Sequence, residues 1–110
     1  MKRSHSYNSG FNYSLSVEPI RVMIVGAGRA GEFHVESLSI NKQFDLRYIV
    51  DINEDKASDL SNKAQCLFHN DLEWVLRETD IEGVIVSTTT PTHYDLTMKC
   101  LNAGKHVFCE

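Results

Sequence analysis

No apolar run in this sequence approaches the roughly 20 residues that a helix needs to cross a bilayer. That argues against an α-helical membrane protein. Cysteine is scarce. Cys66, Cys100 and Cys109 are odd in number and form no close pair at metal-ligand spacing. A disulfide framework is thereby disfavoured, and a reducing, cytoplasmic setting fits best. Positive charge is also in deficit: 11 Lys and Arg stand against 15 Asp and Glu, for a net charge of −4. Such a balance gives no reason to expect nucleic acid or an anionic membrane as partner. No internal repeat or low-complexity tract is present. What remains is ordinary globular material, 42% hydrophobic and 24% charged, of a length (110 residues) that suits one domain with one core.

The first residues differ from the rest. Met1 to Ser16 is rich in Ser, Asn and Tyr, with Lys2 and Arg3 as its only full charges. It lacks the apolar core of a secretory signal and the recurring basic residues of a transit peptide. Residues 1–19 are therefore expected to be a disordered leader. Pro19, just ahead of Ile20, fits an entry into a strand where no ladder hydrogen bond is yet required.

The informative stretch lies between Arg21 and Asp51. An apolar run, Arg21-Val22-Met23-Ile24-Val25, feeds Gly26-Ala27-Gly28-Arg29-Ala30-Gly31, and Asp51 closes a second apolar run 20 residues past Gly31. Short glycine-rich turns are common in structures without ligands, so the glycines alone mean little. Strand before, helix after and a carboxylate at that spacing form the dinucleotide-binding pattern. Gly26 permits a sharp turn off the strand, and Gly28 has no Cβ to hold a pyrophosphate away. Gly31 lets the new helix pack closely on the sheet, while the free N–H groups and dipole of that helix face the phosphates.

Strands and helices then alternate. Strands are predicted at Arg21–Val25, Leu46–Val50, Gln65–Phe68, Gly83–Ser87 and His106–Cys109. Helices are predicted from Arg29 to about Ile40, after an Asn53 cap to about Lys63, from Asp71 to Arg77, and from a Thr90 cap with Pro91 in first position up to Gly104. Ala30, Phe33 and Leu38 are expected to face inward on the first helix, and Tyr94, Met98 and Leu101 share a stripe on the last. Five strands joined by helical crossovers mean a doubly wound parallel α/β sheet, a Rossmann fold. Right-handed connections give the order 3-2-1-4-5. The ligand crevice of such a sheet lies at the carboxyl ends of the strands, where Gly26–Gly31, Asp51 and Ser87–His93 would meet.

Asp51 bears on the choice of cofactor. A carboxylate at the tip of the second strand accepts hydrogen bonds from an adenosine ribose diol and repels a 2′-phosphate. Ile52 and Asn53 supply no guanidinium to receive a phosphate. NAD is expected over NADP. In Ser87-Thr88-Thr89-Thr90-Pro91-Thr92-His93 the hydroxyls can serve as caps. His93 is the single candidate for proton transfer in the right place, since the following helix aims its N-terminus at the crevice. His34, His69 and His106 lie on different elements, no metal site is expected, and Trp74, Phe33 and Cys100 read as packing residues.

These segments resemble the glucose-fructose oxidoreductase/inositol dehydrogenase/rhizopine catabolism family (Gfo/Idh/MocA). Gly26–Gly31, Val50-Asp51 and Ser87–His93 match in order and spacing. The close, Ala103-Gly104-Lys105-His106-Val107-Phe108-Cys109-Glu110, is similar to the segment leading into the family's Glu-Lys-Pro motif. The resemblance covers residues 20–110 and is greatest to inositol 2-dehydrogenase-like members. It implies an NAD(P)-binding domain, with cofactor contacts from Gly26, Gly28, Arg29, Ala30, Gly31, Asp51, Ser87, Thr88, Thr90, Pro91, His93 and Glu110. It also implies hydride transfer to or from the CH–OH group of a polyol or sugar derivative. The family's Lys and Pro after Glu110, and its second domain, are not in these 110 residues. The chain is thus expected to be the cofactor half of such an enzyme, a fragment with no catalytic residue assigned. The alternative expectation is a non-catalytic NAD(H)-sensing or protein-binding regulator of the same fold.

Overall fold

The computed structural model describes residues 18–88 and 90–109. Residues 1–17 of the expected leader, with Thr89 and Glu110, lie outside the described residues. Among the described residues nine elements follow one another: β1 (Ile20–Val25), α1 (Arg29–Ser39), β2 (Phe44–Val50), α2 (Glu54–Ala64), β3 (Leu67–His69), α3 (Leu72–Glu78), β4 (Gly83–Val86), α4 (Thr90–Asn102) and β5 (His106–Cys109). All strand pairings are parallel. The sheet order is β3-β2-β1-β4-β5, as the crossover rules require.

Side chains alternate across the sheet, so β1, β2 and β4 feed two cores. Met23, Val25, Val50, Val84 and Val86 face one way, with Val75 of α3 and Cys100 of α4. Ile24, Ile49 and Ile85 face the other, with Val35 of α1 and Ala57 and Leu60 of α2. Burial on both faces explains why β4, and β1 from Val22 onward, read as unbroken apolar runs.

The helix starts of α2 and α3 follow from side-chain chemistry. Asn53 accepts a hydrogen bond from the Lys56 N–H at 3.1 Å, and Asp71 accepts from Glu73 and Trp74. Each such cap contributes about 1 kcal/mol. Gly104 ends α4 at φ +80°, where the Lys105 N–H reaches the Cys100 carbonyl and the Gly104 N–H that of Leu101. This paired closure needs a left-handed residue, and glycine adopts it without a Cβ penalty.

Four expectations are corrected. Phe33 is 63% exposed: Gly31 must abut the sheet, so Gly31, Val35 and Leu38 form the inward stripe, and Phe33 falls on the opposite side of the turn. On α4 the inward residues are His93, Leu96 and Cys100, whereas Tyr94, Met98 and Leu101 lie exposed on its flank. The third strand is Leu67–His69 rather than Gln65–Phe68, because Gln65 takes the left-handed conformation that closes α2. Helix α4 begins at Thr90 itself. Pro91 is therefore its second residue, still within the turn whose N–H groups need no intrahelical acceptor.

Candidate cofactor site

Three strand tips build the site. At the end of β1 the chain turns at Gly26, whose φ of +113° suits glycine, and a Cβ there would stand 2.7 Å from the Ser87 carbonyl oxygen. Gly26 is thus required twice, by its conformation and by the neighbouring strand. The Ser87 hydroxyl donates to the Val25 and Gly26 carbonyls, at 3.2 Å each, and so ties the tip of β4 to the turn. From the other side the Gly26 N–H donates to the Val50 carbonyl at 2.8 Å.

Asp51 sits at the tip of β2. Its Oδ2 accepts the Ala27 N–H at 2.8 Å, and its Oδ1 accepts the Asn53 N–H at 2.8 Å. The carboxylate therefore touches the glycine turn itself. Each oxygen keeps a further lone pair for another donor.

The two remaining glycines have opposite surroundings. A Cβ on Gly31 would collide with the Gly26 carbonyl, so this glycine sets the close approach of α1 to the turn. A Cβ on Gly28 would meet nothing within 4 Å. Gly28 is the N-cap of α1 and gives no side-chain hydrogen bond to that helix. Helices α2 and α3 are capped by the side chains of Asn53 and Asp71, whereas α1 starts at Gly28 without a side-chain cap hydrogen bond, and first-turn N–H groups have no intrahelical acceptor.

A cavity of about 390 Å³ gathers Gly26, Ala27, Gly28, Asp51, Ser87 and Thr88. Most of the three predicted segments thus converge. Arg29 lines an adjoining hollow of about 350 Å³ with Gly28 and Lys56. Ala30 is half-buried in α1 and Pro91 exposed in α4. His93 is half-buried and does not line this cavity, and its Nε2 is enclosed without a hydrogen-bond partner among the described residues. The Thr90 side chain and Glu110 are outside the described residues. A larger hollow of about 650 Å³ lies between the distal parts of α1 and α2, lined by residues such as Leu38, Phe44 and Lys63. None of the predicted site residues that are described lines it.

Thr92, within the predicted Ser87–His93 segment, also lines the 390 Å³ cavity, together with Ile52, Lys56, Asn70, Leu72 and Leu96, which sequence reasoning did not assign to the site. Thr92 and Leu96 carried a usable signal, four residues apart on one face of α4. Asn70 and Leu72 carried none, since their position depends on where β3 ends. Trp74 is a packing residue, stacked on His69 with ring centroids 4.4 Å apart, and the His69 Nδ1 accepts the Asp71 N–H at 2.9 Å. Among the described residues, no three His, Cys, Asp or Glu side chains gather as metal donors, and no helix is long and apolar enough to cross a membrane.

A parallel sheet with its glycine turn, carboxylate and open helix start at the switch point defines a dinucleotide-binding Rossmann domain. Comparison with known proteins names the group: residues 20–110 match the Gfo/Idh/MocA oxidoreductase family, NAD-binding Rossmann fold, and the chain belongs to it. It is 32% identical over 92 residues to a myo-inositol 2-dehydrogenase of Thermotoga maritima, covering 83% of this chain and 28% of that protein. It is 33% identical over 95 residues to an NADP-dependent scyllo-inositol 2-dehydrogenase of Bacillus subtilis, covering 86% and 26%. Among solved structures, GenD2 from gentamicin A biosynthesis, in complex with NAD, superposes with a TM-score of 0.81 at 30% identity, over 84% of this chain and 27% of that one. The chain thus spans little more than a quarter of the length of these relatives.

Proposed function

We propose that this chain binds NAD in preference to NADP, as the cofactor half of an oxidoreductase acting on the CH–OH group of a polyol or sugar derivative. The observation that carries the reading is the uncapped start of α1 at Gly28, open on the side where a side chain would stand. The first-turn N–H groups would receive the pyrophosphate, with Arg29 beside them. Asp51 would accept the ribose hydroxyls through its unused lone pairs. Ile52, 92% exposed next to Asp51, offers apolar surface to the adenine. Ser87, Thr88, Thr90, Pro91, His93 and Glu110 belong to the nicotinamide side of the site in this reading.

When bound, the nicotinamide ring supplies the hydride acceptor or donor. The residues described here bind and orient; a proton-transfer group within reach of a substrate hydroxyl is a separate requirement. The polyol preference rests on what the inositol dehydrogenase relatives act on. A cytoplasmic location fits a sequence whose three cysteines, Cys66, Cys100 and Cys109, show no paired spacing.

Calorimetric titration of NAD and NADP side by side tests the reading. NAD is expected to bind more tightly. Equal affinities would remove the basis for the Asp51 assignment, and no binding of either would remove the cofactor reading altogether.

A further inference from the structure

We infer that Asp51 is a positioning residue for the phosphate-binding turn as well as a ribose ligand, so that the two halves of the dinucleotide site are organised by one carboxylate. The inference rests on the reading above for the identity of the ligand. The clamp itself rests on geometry alone.

The turn from Gly26 to Gly28 has no side chain larger than a methyl group with which to hold its own shape. Its backbone is held from outside. On the β4 side the hold is Ser87, through the carbonyls of Val25 and Gly26. On the β2 side it is Asp51, whose Oδ2 takes the Ala27 N–H at 2.8 Å. The second oxygen, Oδ1, takes the Asn53 N–H at 2.8 Å, and Asn53 in turn caps α2. The Asp51 N–H is itself fixed to the His69 carbonyl at 3.2 Å. The carboxylate is therefore fixed in space by β3 and by α2 before it reaches the turn.

Two consequences follow. First, the Ala27 N–H is already engaged, so the phosphates must rely on the N–H groups that follow it. Asp51 selects which donors of the turn point outward. Second, a ligand that gains nothing from a ribose diol still depends on Asp51. A residue that acted only by repelling a 2′-phosphate would, when removed, let NADP bind better. A residue that also shapes the turn would, when removed, weaken NADP despite the lost repulsion. Loss of a charged hydrogen bond of this kind weakens binding roughly tenfold or more, enough to offset a screened repulsion at an open site.

The test compares the unmutated chain, Asp51→Ala and Asp51→Asn, by calorimetry with NAD and NADP and by amide hydrogen exchange without ligand. Circular dichroism checks that each variant is folded. Asp51→Ala is expected to lose NAD affinity, to bind NADP about tenfold more weakly than the unmutated chain, and to lower Ala27 amide protection by a similar factor. Asp51→Asn has a single acceptor oxygen for two donors, so partial protection at Ala27 and intermediate NADP affinity are expected. Should Asp51→Ala fail to fold, Asp51→Asn carries the comparison alone. NADP affinity that rises in either variant, with Ala27 protection unchanged, would overturn the positioning role and leave a ribose ligand only. Loss of Ala27 protection in a chain that binds neither dinucleotide would uphold the clamp while refuting the proposed cofactor.

Discussion

Gly31 and Gly26, one on α1 and one in the turn before it, are in contact so close that a Cβ on Gly31 would collide with the Gly26 carbonyl oxygen. This contact sets the phase of α1 and the depth of the turn together. The three glycines are therefore expected to separate by assay. Gly31→Ala should destabilise the fold by about 2–3 kcal/mol through overpacking against backbone that cannot yield, and Gly26→Ala should be comparably damaging. Gly28→Val should leave the thermal unfolding profile near that of the unmutated chain and abolish NAD binding by calorimetry. Normal NAD binding in a folded Gly28→Val variant would show that the turn does not cradle the phosphates.

Gln65 and Gly104 end two helices in the same left-handed conformation, at φ +58° and +80°. One carries a Cβ that this conformation disfavours and the other does not. Gln65→Gly should raise stability by about 1 kcal/mol and Gly104→Ala should lower it by about the same. Urea titrations of both variants check the opposite signs.

Burial pushes the Cys66 thiol up to about 11, from its ordinary value of 9.0. The folded chain therefore favours the neutral thiol. The stability that goes with it is complete below about pH 9 and is lost as pH rises from there through about 11. At pH 8 Cys66 should react slowly with iodoacetamide in the native state and readily in urea, as mass spectrometry of the modified peptides will show. Fast native labelling at this position would contradict the half-buried setting of the thiol.

The 110 residues taken by themselves should show no turnover of NAD with inositol, glucose or related polyols. Among the described residues, the charged side chains lining the cavity are Asp51 and Lys56, and Asp51 is held by two backbone N–H groups. Lack of a general base costs about 10²–10⁴ in rate, and lack of substrate positioning adds to that. NADH fluorescence over a polyol panel measures it. A robust rate that disappears in His93→Ala would make His93 the base of a self-sufficient enzyme.

The order of the sheet, the glycine turn and the tip position of Asp51 were all legible in the sequence. Each is dictated locally: an apolar run too short for a helix, a turn that only glycine can make, crossovers of fixed hand. The Asn53 cap was legible for the same reason, because its partner, the Lys56 N–H, is three residues away.

Other features depended on groups distant in sequence. Periodicity alone could not decide between two apolar stripes on α1 or on α4, since Phe33 and Tyr94 are as hydrophobic as the residues that turned inward. The choice fell to backbone contacts, above all that of Gly31 with the Gly26 carbonyl. The Gln65 turn was hidden because helix closure, and not side-chain preference, demanded a left-handed residue there. The reach of the Asp51 carboxylate to the Ala27 N–H spans 24 residues. It exists because parallel pairing of β1 and β2 brings their two tips to the same height. The sequence by itself determined which residues gather at the strand tips; the packed sheet decided which of their donors are already engaged and which remain open to a ligand.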